Sequence, residues 1–136
     1  MRVKPIFLTL LFLVGVHRSH SQVNYPYPVR YFSLAVENQN VKMAYMDVPA
    51  SSSGSAAKTV LLLHGKNFNG YYWKDVIAGL KAKGFRVIVP DQLGWGKSDK
   101  PNLHYSFHLL TANTKALLDS LKITKVIVVG HSMGGM

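Results

Sequence analysis

Hydrophobic and polar positions divide this chain into two regimes. Tyr31 to Val36 and Val41 to Val48 are short runs in which apolar and polar residues intermingle, joined by the polar Glu37-Asn38-Gln39-Asn40, and they predict two strands in a hairpin. From Thr59 the pattern changes. Val60-Leu61-Leu62-Leu63 is apolar throughout, as expected of a strand covered on both faces of a parallel sheet. Trp73, Val76, Ile77 and Leu80 then recur at helical spacing, with Gly84 placed to end that helix. Phe85 to Val89 reads as the next strand, stopped by Pro90. Leu110, Thr114, Leu117, Leu118 and Leu121 mark a second amphipathic helix, and Lys125 to Val129 a further buried strand. Strands alternating with helices of this length imply right-handed crossovers and a parallel sheet, and no internal repeat interrupts them.

Outside this core the composition adds three constraints. Arg2 and Lys4 precede an apolar stretch from Ile6 to Val16, and Ser19-His20-Ser21 supplies small residues for cleavage, so residues 1–21 read as an export signal. The expectation is a secreted or periplasmic protein without stable membrane insertion after cleavage, because eleven apolar residues fall short of the roughly 20 that span a bilayer. There is no cysteine, which excludes lipoprotein anchoring and disulfides. Loss of the signal removes Arg2, Lys4 and Arg18 and lowers the net charge from +10 to +7. The remaining basic residues are scattered, with pairs such as Lys81 and Lys83 or Lys97 and Lys100 the nearest approach to a cluster. No aromatic-interleaved basic stripe occurs, so nucleic acid is not an expected partner. Residues 22–136 suit one domain by length, with Pro49 to Ser55 a surface loop within it.

Two motifs resemble nucleotide sites and fail as such. Gly96-Lys97-Ser98 follows a strand, but the position of the first glycine of a phosphate-binding loop holds Asp91, and Pro101 falls where a helix should begin. Gly94-Trp95-Gly96 lacks the third glycine of a dinucleotide fingerprint, Asp99 standing there. No H-E-x-x-H or comparable ligand spacing occurs, so neither cofactor nor metal is expected.

The chemistry lies at Gly130-His131-Ser132-Met133-Gly134-Gly135. A serine hydroxyl attacks a carbonyl only if its Oγ stands clear of the backbone, which a sharp strand-to-helix bend provides. Gly130 and Gly134 flank Ser132 at two residues on either side and remove the Cβ atoms that such a bend would bring into collision. The preceding Val126-Ile127-Val128-Val129 supplies the strand that the pattern requires, so Ser132 is the candidate nucleophile. The N–H of Met133, at the start of the following helix, is a candidate oxyanion donor. His64-Gly65 directly follows another predicted strand, and ligands of α/β proteins gather at such strand ends. Gly65 permits close approach of the backbone, making the main-chain N–H of Lys66 the second candidate donor. The plainer alternative is a strand-to-loop turn with a buried, hydrogen-bonded His64.

Together, His64-Gly65 with Trp73 downstream, Asp91-Gln92-Leu93-Gly94-Trp95-Gly96-Lys97-Ser98-Asp99, and Gly130 to Gly135 resemble the first half of an α/β-hydrolase fold protein, over everything from about Tyr31 onward. The resemblance implies a mostly parallel sheet with an N-terminal antiparallel hairpin as strands one and two, strand five leading to Ser132, and a mainly structural loop from Asp91 to Asp99. Branches such as haloalkane dehalogenases and epoxide hydrolases carry aspartate at the elbow. Serine here implies esterase, lipase, lactonase, amidase, carbon–carbon bond hydrolase or perhydrolase chemistry on a small acyl substrate.

In the family the acid and then the base follow the nucleophile in chain order, and no residue of this chain matches them. His17 and His20 belong to the signal, His104 and His108 precede or open the second helix, and His131 points away from the Ser132 Oγ. The reading is therefore of an incomplete domain whose fifth strand has an unpaired edge and an uncovered apolar surface. The alternatives are a non-catalytic hydrolase-like binding module and an inactive truncated product, the latter expected to be molten or to aggregate.

Overall fold

The computed structural model describes residues 23–51 and 58–136. The expected export signal at 1–21 and most of the loop after Pro49 lie outside the described residues. β1 (Val29–Val36) and β2 (Gln39–Val48) form the hairpin, followed by β3 (Thr59–Leu63), a 3-10 turn (Gly70–Trp73), α1 (Lys74–Ala82), β4 (Arg86–Pro90), α2 (Phe107–Ser120), β5 (Ile127–Gly130) and a second 3-10 turn (Ser132–Gly135). The sheet order is β1-β2-β4-β3-β5. β2 runs antiparallel to β1 and β4, whereas β3 lies parallel to both β4 and β5. The mixed sheet with an N-terminal antiparallel hairpin is thus the expected architecture.

Both faces of the sheet centre are covered. Leu61 of β3 and Ile88 of β4 face one way, into a cluster with Met43, Leu93 and Leu117 of α2. Val60 and Leu62, with Val87 and Val89, face the other way, against Trp73 and Ile77 beside α1. Alternate residues of one strand therefore enter two different cores, which is why these strands read as unbroken apolar runs.

Four local details differ from the sequence reading. The hairpin turns on two residues rather than four, since Gln39 and Asn40 already pair with Val36 and Ala35. Glu37 and Asn38 take up φ of 46° and 61°, the paired left-handed conformation whose twist matches that of a two-residue hairpin. Trp73 belongs to the 3-10 turn before α1, and Val76 is exposed on the side away from the sheet. Pro90 closes β4 as its last residue, opposite Tyr45, instead of stopping the strand before it. Finally, β5 lacks the burial its apolar run implies and shows instead the uncovered surface expected of an unpaired edge: Ile127, Val128 and Val129 are 46%, 56% and 38% exposed. Its position as an edge strand leaves it with β3 as its one partner in the sheet.

Among the described residues, no helix is long and apolar enough to cross a membrane.

Candidate active site

The parallel ladder between β3 and β5 aligns Leu63 with Gly130, so both strands deliver their following loops to the same edge of the sheet. One further hydrogen bond, from His131 N–H to the Leu63 carbonyl at 3.0 Å, extends that alignment into the bend. Ser132 then adopts φ of 52°, a left-handed conformation that non-glycine residues take only where surrounding structure compels it. A Cβ on Gly134 would run into the Leu63 carbonyl, and one on Gly130 into the Gly134 carbonyl. Both glycines are required by closeness of backbone to backbone. Ser132–Gly135 form a 3-10 turn directly after the bend.

From β3 the chain enters a tight turn. Phe68 N–H donates to the Gly65 carbonyl at 3.1 Å, and Asn67 takes the positive φ of 69° at the second corner. Lys66 occupies the first corner with its side chain exposed, and its N–H makes no hydrogen bond among the described residues. A Cβ on Gly65 would stand 3.1 Å from the Ser132 Cβ and 3.0 Å from His131 Nδ1. Gly65 thus lets the turn abut the serine directly.

His64 is fully buried. Its Nε2 accepts from the Gln92 backbone N–H at 3.0 Å, so the proton resides on Nδ1, which lies 2.9 Å from the Gly65 carbonyl and donates to it. Burial holds the imidazole pKa below its ordinary value and keeps the ring neutral. The histidine fastens the end of β3 to the end of β4, the structural role in the sequence reading.

The loop after β4 is organised by Asp91, which is 1% exposed. Its Oδ1 accepts from Gly70 N–H at 2.6 Å, and its Oδ2 accepts from Lys97 N–H at 2.7 Å and from the Tyr25 hydroxyl at 2.6 Å. Three donors satisfy a carboxylate whose burial would otherwise be costly. Desolvation, reinforced by Asp91, pushes the Tyr25 phenol well above its usual pKa. Ser98 Oγ accepts from Ala44 N–H and donates to the Asp91 carbonyl, and Asp99 accepts from Lys42 N–H. The stretch from Asp91 to Asp99 is a set of ties between β2, β4 and the 3-10 turn.

Sequence reasoning missed two features. Tyr25, 66 positions before Asp91, carries no local signal of its partner. The other is a cluster of rings beside the bend: His131 stacks on Tyr72 at 5.2 Å with 24° between planes, and Phe68 meets both rings. His104 and His108 are exposed, one before α2 and one in its first turn. A cavity of about 540 Å³ opens between α2 and β5, lined by residues including Leu63, Leu110, Leu118, Val128 and Met133. Ser132 and His131 do not line it, so it is a gap beneath the bend and not the space in front of the serine.

A strand order of 1-2-4-3-5 with the second strand reversed, and a strained serine where the fifth strand becomes a helical turn, define a hydrolase-type α/β architecture. Residues 58–136, more than half of the chain, match the alpha/beta hydrolase fold family, and the chain belongs to it. A probable hydrolytic enzyme from Pseudomonas aeruginosa PAO1, known as a crystal structure, is 46% identical with a TM-score of 0.78, over 83% of this chain and 36% of that one. The 2-hydroxy-6-oxononadienedioate/2-hydroxy-6-oxononatrienedioate hydrolase of Paraburkholderia xenovorans strain LB400 is 40% identical over 62% of this chain and 31% of its own length. The haloalkane dehalogenase of Mesorhizobium japonicum is 31% identical over 84% of this chain and 36% of its own length. The chain therefore spans about a third of the length of these relatives.

Proposed function

We propose that this chain is the nucleophile-bearing part of an exported serine hydrolase acting on a small carboxylic ester or related acyl substrate. In this reading residues 1–21 are its signal and 22–136 part of one catalytic domain. The observation that carries it is the left-handed Ser132 set against the Gly65 turn. Ser132 Oγ attacks the substrate carbonyl carbon, and the electron pair displaced onto oxygen is held by the N–H groups of Lys66 and Met133. A histidine following the nucleophile in chain order takes the hydroxyl proton and returns it to the leaving group, oriented by an acid that precedes it. Both belong to the part of a longer protein that the relatives' lengths suggest.

Serine in place of aspartate favours acyl chemistry over dehalogenation. Hydrolysis of p-nitrophenyl acetate by the full-length protein tests this. Turnover that falls by about 10⁶-fold in Ser132→Ala, with the fold intact by circular dichroism, is the expected result. Equal turnover by the serine and alanine forms contradicts the proposed nucleophile, and a folded wild type without turnover of any acyl ester favours a binding module.

A further inference from the structure

The loop from Gly65 to Trp73 carries the candidate oxyanion donor, and the structure holds it at several points. At its start lies the turn closed by Phe68 N–H and the Gly65 carbonyl. In its middle Asn69 caps the 3-10 turn by accepting from Tyr71 N–H at 3.1 Å, and Gly70 N–H is tied to Asp91. None of these bonds reaches Ser132. Gly65 abuts the serine at the start of the loop, and the side-chain contact between the rest of the loop and the bend is made by His131.

That imidazole is placed between the two ends of the loop. On one side its Nδ1 stands 3.0 Å from where a Gly65 Cβ would be; on the other its face lies on Tyr72, with the Phe68 ring edge-on at 5.6 Å. Phe68 and Tyr72 in turn are 4.7 Å apart. The Nδ1 atom is buried and has no hydrogen-bond partner among the described residues. Stacked rings of this kind prefer a narrow range of offsets, so they fix distance as well as contact.

We infer that His131 is a positioning residue: gripped by Gly65, Phe68 and Tyr72, its ring clamps the Gly65–Trp73 loop to the bend and sets the place of the Lys66 N–H relative to Ser132. This deepens the reading of Ser132 and Lys66 proposed above and rests on it. Displacing an oxyanion donor by about 1 Å is enough to cost up to about 100-fold in rate. Phe68 and Tyr72 are 41% and 44% exposed, and Tyr72 also meets the buried Trp73 ring edge-on at 5.1 Å, a contact that Tyr72→Phe keeps.

The test uses the full-length protein with Tyr72→Leu, Tyr72→Phe and His131→Ala. For each, the rate of covalent labelling of Ser132 by a fluorophosphonate is measured together with amide hydrogen exchange across residues 66–72. Tyr72→Leu and His131→Ala are expected to label about 10- to 100-fold more slowly and to exchange faster in the loop, while Tyr72→Phe, which keeps the ring, stays within about twofold of wild type. Labelling of Tyr72→Leu at the wild-type rate overturns the clamp and leaves the nucleophile standing. Tyr72→Phe as slow as Tyr72→Leu also overturns it, because the hydroxyl and not the ring would then be acting. Should His131→Ala fail to fold, the two Tyr72 variants decide. A wild type unlabelled at Ser132, with loop exchange still accelerated in Tyr72→Leu, removes the nucleophile reading and retains the clamp.

Discussion

Val60 to Leu63 and Val126 to Val129 are both four-residue apolar runs, each leading into a glycine-bearing loop, and they meet opposite fates. In the first, Val60, Leu61 and Leu62 are 2%, 3% and 0% exposed; in the second, Ile127, Val128 and Val129 are 46%, 56% and 38% exposed. Composition does not separate them. β3 lies between β4 and β5 with clusters on both faces, whereas β5 has β3 on one side alone. Burial is a property of neighbours, and a run of valines announces the demand for cover without supplying it.

The comparison is most strongly tested in β3. In the full-length protein Leu62→Ala is expected to cost about 3–5 kcal/mol, the loss of a fully packed side chain plus the cavity left behind, measured by urea denaturation. A cost below about 1 kcal/mol would show that the β3 core is loosely packed. Next comes the tie that holds the covered half together. Asp91→Ala leaves Tyr25, Gly70 and Lys97 without their acceptor. At about 1–3 kcal/mol for each unpaired buried donor, partly relieved by water, an expected loss of about 2–4 kcal/mol follows.

His64 adds a pH dependence of smaller size. Its folded pKa is lowered from 6.5 by burial, so the unfolded chain binds the proton first as pH falls. The stability it contributes is complete above about pH 6.5 and is lost as pH drops through the folded pKa. Urea midpoints measured from pH 7.5 down to 5 should decline, with a shallower slope in His64→Asn. An identical slope in the variant would assign the decline to other groups. The smallest effect belongs to the exposed run. Val128→Lys should reduce the binding of an apolar dye to the 136-residue chain without loss of secondary structure, and unchanged dye binding would place the exposed apolar surface elsewhere.

The succession of strands and helices along the chain and the glycine-flanked serine were legible because they depend on local rules. Four β-branched or aliphatic residues, a glycine on either side of a serine and a glycine after His64 each state a backbone requirement that only nearby atoms impose. The two-residue hairpin was misjudged because Glu37 and Asn38 lack the glycine that usually announces paired positive φ. The Asp91 ties and the His131 ring cluster were hidden for another reason. Tyr25 with Asp91, and Tyr72 with His131, are joined across the fold by contacts far apart in sequence, and nothing in either partner's local pattern names the other. The aspartate served in the sequence to exclude a phosphate-binding loop, and the family resemblance implied a mainly structural stretch from Asp91 to Asp99, but the three donors it gathers come from separate elements that no local pattern names. The ring cluster has one faint trace in the sequence: Phe68, Tyr72 and Val76 recur every fourth residue, and all three are exposed.

The claim on which the account turns is that the strained serine between β5 and the 3-10 turn is a reacting group. Incubating the full-length protein with a fluorophosphonate and mapping the adduct by peptide mass spectrometry tests it directly. The account predicts a single modification on the peptide containing Ser132, abolished by Ser132→Ala. A folded protein that is unmodified there, or is modified on another residue and still reacts as Ser132→Ala, would contradict it.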